Sequence, residues 1–72
     1  MKPHLAKRSF SLAGHRTSVA LEPAFWAVLD HEAAQRGISL AALVAELDAA
    51  RPPEAPLAST LRVFALQARR PG

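Results

Sequence analysis

The chain has 72 residues, a formal charge of +3, apolar side chains at half of its positions and no cysteine. A chain of that length buries only about 60% of the surface its unfolded form exposes, and without thiols no disulfide framework or thiolate metal site can reinforce it. Oligomerisation is the remaining common route to stability, so a homo-oligomer is expected, and there is little room for a walled catalytic cleft.

The charge is unevenly spread. Residues 1–21 carry Lys2, Lys7, Arg8 and Arg16 with no acid, a net +4. Residues 22–54 set six acids against Arg36 and Arg51, a net −4, and residues 55–72 add Arg62, Arg69 and Arg70 for +3. A cationic N-terminal end on an acidic body is the layout of a chain that meets a polyanion end-on. No apolar run approaches the roughly 20 residues that cross a bilayer, and the N-terminus lacks the apolar core of a signal peptide. A soluble, cytoplasmic protein is therefore expected.

Residues 1–8 are basic and unpatterned and read as a flexible arm, leaving 9–72 as the folded domain. In "SFSLAGHRTSVALE" the apolar positions Phe10 and Leu12, then Val19 and Leu21, recur with the period of two that marks strands. Gly14 lies between the runs, in a connection without the Asn-Gly or Asp-Gly pair of a tight hairpin. The second run is the firmer strand, and the upstream one over 9–12 is left open.

Pro23 ends that strand and suits the first turn of a helix, where its missing amide hydrogen costs nothing. From Pro23 to Arg36, Phe25, Trp26, Leu29 and Ala33 return at helical spacing, and Gly37 offers a left-handed exit. Ser39 is the expected N-cap of a second helix running to about Ala50, with Leu40, Leu43, Val44 and Leu47 as its apolar stripe. The prolines of "RPPEAP" stop it. A third helix is expected from about Leu57 to Arg69, with Leu57, Leu61, Phe64, Ala65 and Ala68 on one side. Its stripe must cover either the open side of the two-helix core or a partner's copy of itself; added dimer interface is preferred to a docking surface for another protein.

Strand, amphipathic helix, "RGIS" turn and amphipathic helix, carried by "TSVALEPAFWAVLDHEAAQRGISLAALVAEL" over residues 17–47, resemble the ribbon-helix-helix family of DNA-binding proteins. With "KRSFSLAGHRTSVALEPAFW" and "LASTLRVFALQAR" included, nearly the whole chain is similar to a subgroup of small bacterial members that have an additional C-terminal helix. The resemblance implies a mainly α fold with a short β-ribbon: residues 17–21 pair antiparallel with the same segment of a second chain, and the helices of both chains interlock as an intertwined homodimer.

Strand parity sends Val19, Leu21 and Thr17 toward the helices and Arg16, Ser18 and Ala20 outward. In the family the outward face enters the major groove of double-stranded DNA. There Arg16 can donate bidentately to guanine, Ser18 can bond most bases, and Ala20 offers a methyl contact. Lys7, Arg8 and His15 near the ribbon are candidate phosphate contacts, as are the amides following Ser39, whose first role is helix capping.

His4, His15 and His31 lie on three different elements without the paired spacing of a metal-ligand set, and no nucleophile elbow or phosphate loop is present. No metal, no cofactor and no enzymatic activity are expected. The expected function is that of a dimeric transcription regulator, a repressor, with two dimers on adjacent half-sites. The alternative is a protein-interaction module or antitoxin-like adaptor that keeps the dimeric fold with weak DNA binding or none.

Overall fold

Two strands and three helices follow one another as β1 (Ala6–Leu12), β2 (His15–Leu21), α1 (Pro23–Arg36), α2 (Leu40–Ala50) and α3 (Leu57–Ala68) in a computed structural model that describes residues 4–69. Met1, Lys2 and Pro3 of the expected arm, and Arg70, lie outside the described residues.

β1 and β2 form a two-stranded antiparallel sheet within the chain, in register from Ala6 opposite Leu21 to Leu12 opposite His15. Two residues join them. Ala13 and Gly14 stand at φ 51° and 81°, the pair of positive values that defines a type I′ turn, whose twist matches that of the flanking strands. Glycine adopts this region freely, whereas alanine there costs about 1–2 kcal/mol. Closing the hairpin outweighs that strain, although the turn lacks the usual asparagine.

The hairpin corrects one expectation and adds to a second. The expectation of a flexible arm over residues 1–8 fails at Ala6, Lys7 and Arg8, which are paired strand residues opposite Leu21, Ala20 and Val19. Residues 17–21, expected to pair with a second chain, have a strand partner within their own chain, which occupies one edge of β2.

Each helix begins and ends for a local reason. Pro23 opens α1, and Gly37 closes it at φ 70°. The Gly37 amide donates to the Ala34 carbonyl and that of Ile38 to Ala33, which satisfies carbonyls the helix end would leave unpaired. The Ser39 hydroxyl accepts from the Ala42 amide at 3.0 Å and caps α2 as expected. Past α2, Arg51 donates to the Asp48 carboxylate and to the Ala55 carbonyl, both at 2.8 Å, and so pins the proline-rich connection. α3 starts after Pro56 and ends one residue earlier than expected, at Ala68.

The core lies between the inner face of the hairpin and the three helices. Phe10, Leu12, Val19 and Leu21 from the sheet meet Trp26, Leu29 and Ala33 of α1, Leu43 and Val44 of α2, and Leu61 and Ala65 of α3. Phe25, Leu40, Leu47, Leu57 and Phe64, expected inside, are half-buried against this cluster, and Ala68 is exposed. α3 touches α1, α2 and β2, so its stripe covers the open side of its own chain's core. Its other side leaves Val63 and Leu66 exposed. No helix among the described residues is long and apolar enough to cross a membrane.

Candidate nucleic-acid interface

Strand parity and the hairpin register together determine what the sheet presents away from the helices. Lys7, Ser9 and Ser11 of β1 alternate with the inward Arg8, Phe10 and Leu12. On β2 their partners are Ala20, Ser18 and Arg16, giving the outward pairs Lys7–Ala20, Ser9–Ser18 and Ser11–Arg16. The two central hydroxyls share a hydrogen bond across the strands, with Ser9 Oγ and Ser18 Oγ 3.0 Å apart. This face thus has a cation near each end, three hydroxyls and no carboxylate.

The remaining cations are mostly neutralised in place, by one recurring arrangement. The Arg8 guanidinium lies 4.8 Å from the Trp26 ring centre and 3.1 Å from Asp30. That of Arg36 lies 5.4 Å from the Phe64 ring and 3.0 Å from Glu32, and that of Arg62 5.9 Å from Phe25 and 3.0 Å from Glu22. Arg51 pairs with Asp48. These pairs are partly exposed, and exposed ion pairs add little to stability. Their larger effect is on the field of the molecule, because among the described residues only Lys7, Arg16 and Arg69 remain outside ion pairs. Two of these three stand on the outer face of the sheet.

One carboxylate in this set is visibly perturbed. A backbone hydrogen bond at Glu22, and then the hydrogen bond from Arg62, hold its carboxyl below the usual carboxylate range. Glu22 sits at the joint between β2 and α1, so the Arg62 contact also fastens α3 to the base of the ribbon.

Of the residues singled out by sequence, Arg16, Ser18, Ala20 and Lys7 come together on one surface. Arg8 does not join them. Its neighbour in sequence faces outward, so parity turns Arg8 toward α1, where it covers Trp26. His15 is exposed beside the turn, at the end of the inner row. Ser39 caps α2 and is not part of the sheet surface. Ser9 and Ser11 belong to the face although sequence reasoning passed over them; the alternation of Phe10 and Leu12 was the signal that places them there.

A family model described as a ribbon-helix-helix domain matches residues 5–68, from the start of β1 to the end of α3. The chain belongs to the ribbon-helix-helix family. Ribbon-helix-helix domains are generally DNA-binding transcription regulators or antitoxins, typically dimeric and without enzymatic activity. Because the match spans both strands and α3, the in-chain hairpin and third helix fall within the ribbon-helix-helix domain of this protein. No curated protein and no solved structure matches the chain.

Proposed function

We propose that this protein is a homodimeric, cytoplasmic repressor of transcription that reads double-stranded DNA with the outer face of its ribbon. The observation that carries the proposal is the sorting of charge among the described residues: Arg8, Arg36, Arg51 and Arg62 are held against carboxylates, while two of the three cations left unpaired, Lys7 and Arg16, stand on a hydroxyl-lined sheet face. A polyanion meets attraction on that side of the sheet and an ion-paired surface on the other.

β1 occupies one edge of β2, and among the described residues no strand pairs with the other. Two chains joined antiparallel along those free β2 edges form the symmetric ribbon that the major groove admits. Arg16 then donates to guanine and Ser18 bonds a base edge, with Ala20 against a thymine methyl. His15 at the rim and the amides beyond Ser39 are the remaining candidates for phosphate. Such a ribbon reads few base pairs, and two dimers on adjacent half-sites supply the rest of an operator.

The test is binding to duplex DNA across a salt series, with sedimentation at the same protein concentrations. The expected result is a dimer whose affinity falls by about 0.9 log units per neutralised phosphate for each tenfold rise in salt, and which Arg16→Ala weakens at least about tenfold. An affinity indifferent to Arg16→Ala removes the proposal. In that event an antitoxin-like interaction module becomes the better reading, favoured by the exposure of Val63 and Leu66 on α3.

A further inference from the structure

We infer that β1 is a backbone-gripping flank of the DNA-reading ribbon: Lys7 and Ser11, with Ser9 between them, engage phosphates at the walls of the major groove that β2 occupies. The inference rests on the DNA-binding reading above and adds to it a division of labour between the two strands.

The geometry follows from strand spacing. Joining two hairpins along their free β2 edges makes a four-stranded sheet in the order β1, β2, partner β2, partner β1. Strands lie about 4.8 Å apart, so the two outer ones are separated by about 14 Å. The major groove is about 12 Å wide. All four strands cannot enter it together, and with β2 and its copy at the centre the outer pair stands over the two phosphate backbones.

β1 cannot leave the sheet to relieve the crowding. Phe10 and Leu12 are buried in the core. The Trp26 indole donates to the Ala6 carbonyl at 2.7 Å, and Arg8 ties the middle of the strand to Trp26 and Asp30. The strand is thus held by α1 at Ala6, Arg8 and Phe10, and it also packs on α2.

The chemistry of the two outward rows fits this placement. β2 carries the guanidinium, whose planar fork matches a base edge, whereas β1 carries an ammonium and two hydroxyls. A lysine acts on phosphate as a point charge, and serine hydroxyls are ordinary donors to phosphate oxygens; neither supplies the two-pronged match that selects guanine. β1 is therefore suited to positioning and β2 to selection.

The test uses the full chain and a pool of random duplexes of about 30 base pairs, with affinity measured across salt and the bound fraction sequenced. Lys7→Ala is expected to weaken binding on every sequence alike and to lower the salt slope by about 0.9 for each chain in the complex, leaving base preference unchanged. Ser11→Ala is expected to cost about tenfold, again uniformly, with Ser11→Thr restoring most of it. Both residues are exposed, and melting curves establish that the variants remain folded. If Lys7→Ala and Ser11→Ala change neither affinity nor slope while Arg16→Ala still weakens binding, the flank is refuted and the DNA reading stands. Altered base preference in either β1 variant also refutes it, since β1 would then lie inside the groove. If the unmodified chain binds no duplex, both readings fall together.

Discussion

Replacing Ala13 by asparagine should stabilise the protein, and replacing Gly14 by alanine should do the reverse. Both positions lie in the left-handed region, at φ 51° and 81°. An alanine there costs about 1–2 kcal/mol, much of which asparagine avoids because its side chain tolerates that conformation. Ala13→Asn should therefore add about 1 kcal/mol. In a domain of this size that raises Tm by about 4–8 °C. A Cβ added at Gly14 would meet no atom within 4 Å, so Gly14→Ala introduces conformational strain without a clash. Its cost of about 1–2 kcal/mol is offset by about 0.4–1 kcal/mol from a stiffer unfolded chain, for a net loss of about 1 kcal/mol. Thermal and urea melts at one fixed protein concentration measure both, the fixed concentration keeping any dimerisation constant. Opposite shifts of similar size are expected. If neither variant moves the midpoint, the in-chain type I′ hairpin is wrong, and with it the placement of β1 beside its own β2.

Leu61→Ala should cost about 2–5 kcal/mol in a urea melt, because that side chain is fully buried on the inner face of α3, whereas Leu66→Ala on the exposed side should stay within about 0.5 kcal/mol. Arg8→Ala should lower stability by about 1 kcal/mol through the lost Trp26 and Asp30 contacts and leave the salt slope of DNA binding unchanged, in contrast to Lys7→Ala next to it. The depressed carboxyl of Glu22 contributes stability that is present above its unfolded value of about 4.5 and is lost as pH falls through the lower folded value. Melting curves taken downward from pH 5 should accordingly lose less Tm in Glu22→Gln than in the unmodified chain.

The helices were legible because their punctuation is chemical and local: Pro23, Gly37, Ser39 and the proline cluster at 52–56 mark starts and stops that the structure keeps. The outward set Arg16, Ser18 and Ala20 was legible from parity alone. β1 was harder to read, since Lys7 and Arg8 look like a solvated charge run. Arg8 holds an inward strand position only because Trp26 and Asp30, some twenty residues away, receive its stem and its charge. No local pattern announces a contact of that range. The turn was obscured for a different reason: alanine occupies a conformation it disfavours, so its identity argues against the geometry it adopts.

Trp26 is the only tryptophan in the chain, and it lies almost wholly buried beneath Arg8 and beside Phe10, with its indole nitrogen bonded to Ala6. Its emission is therefore a built-in optical gauge of the seam between hairpin and first helix. A chain whose leading strand peeled away would wet the indole and redden its fluorescence while the helical circular dichroism stayed put. Partial opening and global melting could thus be told apart with no label attached.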